Sequence, residues 1–490
     1  MQAIAPNPPE TGCFEEAVAA TIEAHDFFTS EKPLWVARAP GRLDVMGGNV
    51  DYTGGMVLQS LLREAVWVAT QRRNDDILRV LNPGAAQFGW EPCLHVTMAD
   101  LHDLDCLKML CELQAGWRWG CYVLGAVYYL ANFHGCQTKG GLDLFVHSDL
   151  PPNKGVSSSA ALEVATLKSV AGAWGVVLQG VALATAAQWV ENVVAGAACG
   201  IMDQAAIVCG EENRLLPIVC QPCEIQRSIA LPPGVCIWGI DSMESRSTTS
   251  VAYERARAAA FMGYKLICRR IGVEVLPETE SKIPRWTDSR WHGYLSNLTP
   301  SEFRDRFEHW LPESLSGQDF LDSAGQHVDP FTRIAPHCEY PVRAAVRYAT
   351  EENLRVRTMF SLLETVWTDP ASSLRVAGGL LLQSHVAYSE CGLGSASCDE
   401  LVARALDAGF PGAKMTGGGA GGVVAILGTA NDQRAIEIMV GEFASQHAKA
   451  PHLFEGSSAG ADAFGVHLMQ LDPARKTGPR EQTKLQRCPR

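Results

Sequence analysis

The stretch from Gly141 to Ala161, GLDLFVHSDLPPNKGVSSSAA, constrains this chain more than any other. Leu142, Leu144 and Val146 recur at every second position, which predicts a half-buried strand. Pro151 and Pro152 stop it, because a proline supplies no ladder N–H. The run from Ala160 to Val177, rich in Ala, Leu and Val, predicts a helix. A strand therefore feeds a small-residue loop that opens a helix. The free N–H groups and positive dipole end at such a start suit a phosphate. Three consecutive hydroxyls add donors and a candidate magnesium ligand. Taken alone, the loop reads equally well as a Ser N-cap after a proline turn. It is not a Walker A loop, since no G-x-x-x-x-G-K-[ST] occurs. Nor is it a dinucleotide-binding fingerprint, because Gly155 stands alone where three glycines are needed.

A chain of 490 residues exceeds what one core usually supports, so two domains are expected. The formal net charge of -13 argues against nucleic acid and against an anionic membrane surface as partners. No apolar run reaches the roughly 18 residues of a membrane span. The first residues, MQAIAPNPPETGCFEEAV, lack the basic and apolar regions of a secretory signal, and a cytoplasmic protein is expected. The sixteen cysteines show no framework spacing and are expected to be reduced and mainly buried. Cys220 and Cys223 form one C-x-x-C with no second pair to complete a zinc site.

Along the chain, a helix is predicted from Phe14 to Ala24 and a strand over residues 34–39, broken by Pro40-Gly41. Arg42 to Gly55, RLDVMGGNVDYTGG, then reads as a tight loop with four glycines and two carboxylates. On its own it is equally a glycine-rich hairpin with a surface Arg. Arg42 and Asp51 gain interest because sugar phosphorylation needs a guanidinium for phosphate and a carboxylate for hydroxyls. Residues 56–82 predict strands. Trp117, Trp119 and Tyr122 lead a helix to Leu130, with Trp119 either stacking on a base or serving as a core or capping aromatic. A second helix runs from about Val181 to Ala195 and carries Glu191 near its end. Gly200 and Asp203 lie at a break between apolar helical runs, where a lone Asp is usually an N-cap. Strands are expected within 214–240, a loop from Ser242 to Ser250, and a helix from Tyr253 to Arg270. Residues 271–340 are the least regular, and 342–408 are helical in pattern. The block AKMTGGGAGG, residues 413–422, precedes a strand, VVAIL. Its glycines permit close approach of N–H groups to a ligand, or simply a turn into an edge strand.

Taken in order, PGR, the GVSSSAA loop, CGIMDQ and MTGGGAGG resemble the signatures of the GHMP small-molecule kinases. Within them PGRLDVMGGNVDYTGG, the third serine, GIMDQ and TGGG resemble galactokinases most. The resemblance covers roughly residues 34 to 468. It implies an α/β (α+β) fold of two domains, an S5-like N-terminal domain and an α/β-sandwich C-terminal domain, with the active site between them. Residues 1–33 are then an N-terminal extension, 34–230 the first domain and 231–470 the second. The segment 271–340 is an insertion, and 471–490 a loose tail. The resemblance implies ATP and Mg²⁺, with Lys154, Gly155, Val156, Ser157, Ser158 and Ser159 wrapping the phosphates. Trp119 contributes to the nucleotide site. Ser159 and Glu191 match the magnesium partners, and Gly417, Gly418 and Gly419 match the loop that closes the site. Asp203 matches the catalytic aspartate facing the anomeric hydroxyl, with Arg42 beside it. Asp51, Gly200 and Tyr253 match sugar contacts.

The chain departs from galactokinases where these carry Glu-His-x-Asp after the PGR loop. Gly48 and Asn49 replace the Glu and His that hold the 6-hydroxyl region, and Asp51 is kept. Removing those groups suits a sugar without C6, such as L-arabinose. MGGNVDYTGG, IDSMESRSTTSVAY, YLSNLTPSEF, LPESLSGQDFL, CGLGSAS and FEGSSAGADAFG also resemble plant L-arabinokinases. Those carry a long glycosyltransferase-like region ahead of the kinase, so a kinase-only version is expected here. The expected reaction is phosphorylation of L-arabinose at O1. Galactose or galacturonate as substrate, and a catalytically silent sugar sensor on the same fold, stay as alternatives. Removal of contacts at Gly48 does not itself exclude galactose; some other side chain must fill the gap. The sequence leaves the oligomeric state open.

Overall fold

Two long antiparallel strands, β1 (Leu34–Met46) and β2 (Met56–Arg72), form the spine of the molecule in the computed structural model. The structure describes residue 14 and residues 27–114, 116–136, 140–244, 251–278, 285–447 and 450–471. The helix predicted from Phe14 to Ala24 therefore lies, Phe14 apart, outside the described residues.

The larger sheet adds β3 (Ile77–Leu81), β4 (Cys93–Thr97), β5 (Leu142–Ser148) and β6 (Arg214–Val219). β5 pairs with the second half of β2, and β6 with its first half, so one long strand carries both. Among the described residues only β3 and β5 run parallel; the other ladders of this sheet are antiparallel. Residues 142–146 of β5 are all buried, so the alternation in the sequence understates a strand covered on both faces. The predicted break at Pro40-Gly41 is a register shift within β1, and the strand runs on through Arg42 to Met46. The tight loop is accordingly shorter than expected and spans 47–55.

Helices α1 (Leu104–Leu113), α2 (Gly120–Phe133), α3 (Ser158–Trp174), α4 (Gly180–Trp189) and α5 (Met202–Cys209) follow in chain order. α3 lies against both β1 and β2. It is buried nearly all round, as a helix with small and apolar residues on every face requires. It ends at Trp174, three residues before the expected Val177, because Gly175 adopts a left-handed C-cap with φ 73°.

A second sheet has the order β8 (Gly412–Met415), β9 (Val423–Thr429), β7 (Val235–Asp241), β10 (Leu453–Phe454). Helices α6 (Val251–Arg270), α7 (Val342–Glu364), α8 (Pro370–Glu390) and α9 (Ala396–Asp407) accompany it, as the helical pattern anticipated. The expected division near residue 230 falls between the two sheets. The last strand, β11 (Val466–Met469), nevertheless returns to pair with β1 in the larger sheet. The irregular segment 271–340 is not loose. Its Trp291, Leu295, Phe303, Phe307 and Phe320 pack on α6 and α7 as a separate hydrophobic cluster.

Candidate active site

β5 ends at Ser148, and the chain turns through Asn153 and Gly155, both at positive φ (60° and 73°), to reach α3. Ser157 occupies the N-cap position with φ 62° and ψ 43° and makes no capping bond. Its Oγ is buried without a hydrogen-bond partner. The Ser N-cap interpretation is thereby corrected: a left-handed serine costs about 1–2 kcal/mol, yet its hydroxyl caps nothing. Strain of this kind persists only where the surroundings impose it, and it gathers at ligand sites. Ser157, Ser158 and Ser159 form one wall of a cavity of about 360 Å³, with Trp90, Trp119 and Tyr122 on another. Trp119 is held by an Nε1–H bond to the Glu91 carbonyl at 3.0 Å. It is both a buried core aromatic, directly before α2, and a cavity wall.

Arg42 and Asp203 line the same cavity. The register shift after Pro40 aims Arg42 inward, and Gly41 is required there because a Cβ would stand 2.5 Å from Leu150 and 3.0 Å from the Val156 carbonyl. Arg42 donates from Nε to Asp203 Oδ1 at 2.8 Å, and its Nη2 lies 2.7 Å from the same oxygen. Its Nη1 donates to the Gly155 carbonyl at 2.6 Å, and its backbone N–H to the Val156 carbonyl at 3.1 Å. The serine loop and the pair are thus one unit. Arg42 is 1% exposed and Asp203 17%, so the carboxylate is the more accessible of the two. Asp203 sits in the first turn of α5 and caps nothing; its carboxylate takes the guanidinium instead.

Ser159 Oγ donates to Glu191 Oε1 at 2.8 Å, and Gln204 Nε2 to Oε2 at 2.6 Å. Glu191 lies in a π-helical turn, Val190–Val194, that widens the end of the helix. Burial, and then the charge of Asp203, push its carboxyl up to about 7, while the bonds from Ser159, Cys199 and Gln204 pull the other way. One turn beyond Ser159, Glu163 is fully buried, and neither of its oxygens has a hydrogen-bond partner. Burial and then Glu191 raise its carboxyl well above the usual range. Oxygen donors crowded at the cost of their own ionisation fit a hard divalent cation, which would favour the charged forms.

Asp51 lies over Gly200, where a Cβ would stand 1.8 Å from Oδ2, so only glycine leaves room for the carboxylate. Burial, then the charge of Asp203, raises Asp51 to about 6, with Arg257 acting in the opposite sense. Asp51 and Gly200 line a second cavity of about 110 Å³. Tyr253 is buried, edge-to-face with Tyr52 at 6.1 Å, and burial raises its hydroxyl pKa.

Around Gly48 the backbone is enclosed. A Cβ there would meet the Tyr388 hydroxyl at 2.0 Å, Asp44 Oδ2 at 2.5 Å and the Gly417 carbonyl at 2.5 Å. Tyr388 donates to the Gly417 carbonyl at 2.7 Å, and Tyr348 to the Gly48 carbonyl at 2.6 Å. Asn49, left-handed at φ 61°, donates to the same Gly417 carbonyl at 3.4 Å, and its Oδ1 is buried without a partner.

Not every expected nucleotide contact joins the larger cavity. Lys154 places Nζ 3.0 Å from Asp241 Oδ1 in an ion pair and is not part of the larger cavity's lining. Val156 is buried and serves Arg42 through its carbonyl. Gly417, Gly418 and Gly419 are buried, and Gly417 is packed on Gly48 and Asn49 rather than on the larger cavity's wall. Sequence reasoning missed Glu163, Tyr388, Asp44 and Lys414. Asp44 is fully buried and accepts from Gln59 Nε2 at 2.7 Å, from the Gly417 N–H at 3.2 Å and from Lys414 Nζ at 3.5 Å. Its position inside the glycine block, and the lone carboxylate of Glu163 in an apolar helix four residues after Ser159, were the available signals. Tyr388 had none, because nothing local marks which helical aromatic meets a distant loop.

Residues 121–211 match the family described as GHMP kinases N terminal domain, and residues 25–72 match the galactokinase galactose-binding signature. The chain carries a GHMP kinase N-terminal domain. It is 34% identical to L-arabinokinase of Arabidopsis thaliana over 90% of its own length. It spans about half of that relative, 47%. It is 29% identical to galactokinase of Streptomyces coelicolor, covering 91% of this chain and 98% of the relative. Galactokinase of Lactococcus lactis, solved with galactose, shares the fold at a TM-score of 0.69 and 19% identity, over 94% of this chain and 100% of that one. A mevalonate kinase shares it at a TM-score of 0.50 and 14% identity, over 89% and 99%. Among the described residues, no helix of this chain is long and apolar enough to cross a membrane.

Proposed function

We propose that this protein transfers the γ-phosphoryl group of ATP to the anomeric hydroxyl of L-arabinose, giving L-arabinose 1-phosphate. The observation that carries the reaction type is a single cavity in which the Arg42–Asp203 pair stands beside the serine-lined start of α3. The helix N–H groups and the hydroxyls of Ser157 and Ser158 hold the phosphates, and Trp119 walls the nucleotide side. Asp203 accepts the proton of the anomeric hydroxyl as O1 bonds to the γ-phosphorus and the bond to the bridging oxygen of ADP breaks. Asp203 then releases that proton to solvent. Arg42 holds Asp203 in place and offsets negative charge spreading over the transferred group. Ser159 and Glu191 would hold Mg²⁺, whose chemistry when bound is to neutralise charge on the phosphates.

L-Arabinose is supported by the loop at Gly48. The gap that a missing side chain would leave is filled by the Tyr388 hydroxyl, so this loop does not offer an added cavity for a hydroxymethyl group. Similarity to the plant L-arabinokinase points the same way. Asp51 supplies the hydroxyl-accepting carboxylate, and Tyr253 and Gly200 complete its surroundings. The test is purified protein with ATP and, separately, L-arabinose, galactose and galacturonate, with the product followed by ³¹P NMR. Preferred turnover of L-arabinose is expected; equal or better turnover of galactose would defeat the assignment.

A further inference from the structure

The geometry points to Trp286 and Tyr294, in the segment 271–340, as specificity-determining residues that form the outer wall of the sugar site. This rests on the sugar-kinase reading above and extends it to a segment that no comparison assigns a role.

The segment is fastened to the loop that bears Asp51. Thr53 Oγ1 and Ser296 Oγ share a buried hydrogen bond of 2.8 Å. Gln221 Nε2 reaches both the Gly54 carbonyl and Asn297 Oδ1 at 2.7 Å. Asn353 donates to the Ser296 carbonyl at 2.8 Å and accepts from the Met56 N–H at 3.0 Å. The Tyr294 ring occupies the space of a Cβ at Gly54, which would stand 2.4 Å from its Cδ1. The loop and the segment therefore hold one another in register.

Between them lies the cavity of about 110 Å³, lined by Asp51 and Gly200 as well as by Trp286 and Tyr294. Trp286 is fixed: its Nε1 donates to the Gly293 carbonyl at 2.9 Å, and its ring stands edge-to-face with Phe261 at 5.1 Å. A buried carboxylate sharing a cavity with fixed aromatic rings suits a small polyol ring. The carboxylate accepts hydroxyls, and the rings pack on the C–H face. The cavity is small, about 110 Å³, so one added hydroxymethyl group bears on the fit. A wall of rings reads ligand size through such increments, each worth roughly tenfold or more in discrimination.

The test compares the unmodified protein with Trp286→Ala and Trp286→Phe. Trp286→Ala is expected to raise KM for L-arabinose about tenfold. It should also lower the L-arabinose-to-galactose ratio of kcat/KM by a similar factor, with KM for ATP within about twofold. Trp286→Phe, keeping a ring, should restore most of both. Should Trp286→Ala fail to fold, the decision passes to tryptophan emission during L-arabinose titration without ATP. The change seen in the unmodified protein should be lost in Trp286→Phe. Unaltered selectivity, or the same emission change in both proteins, would overturn the wall alone. If the unmodified protein uses none of the three sugars, the sugar reading fails, and the wall fails with it.

Discussion

Arg42 illustrates how one side chain ties the chemistry to the fold. Its guanidinium binds Asp203 and the Gly155 carbonyl, and its backbone N–H binds the loop carbonyl of Val156. Asp203→Asn keeps the shape and removes the proposed proton acceptor, so kcat is expected to fall at least about 100-fold, with KM for ATP nearly unchanged. Steady-state kinetics with both substrates varied would reveal a contrary pattern. Asp51 makes a separate expectation. Its carboxyl is raised to about 6 because burial and Asp203 disfavour the charge. A raised acid is protonated below that value and can then no longer accept two hydroxyl donors. KM for the sugar should therefore climb as pH falls through about 6, and Asp51→Asn should abolish that dependence. A pH profile of kcat/KM on the sugar checks it.

At the scale of the element, α3 and the turn before it decide the site. The strand–turn–helix order was legible because prolines, a glycine and small apolar residues follow one another in the sequence. The strained Ser157 was not, since serines in a row read naturally as a cap. Ser157→Gly should relieve the left-handed backbone and stabilise the free protein by up to about 1 kcal/mol after the greater chain entropy of glycine is offset. The same change removes a hydroxyl from the phosphate wall and should raise KM for ATP. Thermal unfolding and nucleotide kinetics together would show whether stability and binding move in opposite directions. The hydrogen bonds of 51–56 to 294–297 belong to this scale too: the irregular composition of 271–340 concealed an element with its own core.

For the whole molecule, the decisive contact joins the two sheets. Asp44 on β1 and Lys414 on β8 are both fully buried and lie 3.5 Å apart, with the Lys414 ammonium 5.0 Å from the Tyr388 ring centre. Asp44→Asn leaves a buried ammonium without its carboxylate and should destabilise by about 3–5 kcal/mol. Adding Lys414→Met to that variant should recover much of the loss. Urea unfolding of the single and double variants measures both, and a double variant as weak as the single would contradict the pairing. The two sheets part near residue 230, yet β11 crosses back to the larger sheet, so the two sheets do not correspond to two uninterrupted halves of the sequence.

By itself the sequence determined the order of strands, turns and helices around the serine loop, and the residue types on which the proposed phosphoryl transfer rests. These are written locally, in periodicity and in runs of glycine, proline and serine. Only the tertiary structure decided that Lys154 is engaged by Asp241, that Gly417 meets Gly48, and that Tyr388 fills the space beside it. Each of these joins residues far apart in the chain, and a packing contact between distant segments leaves no pattern in either of them.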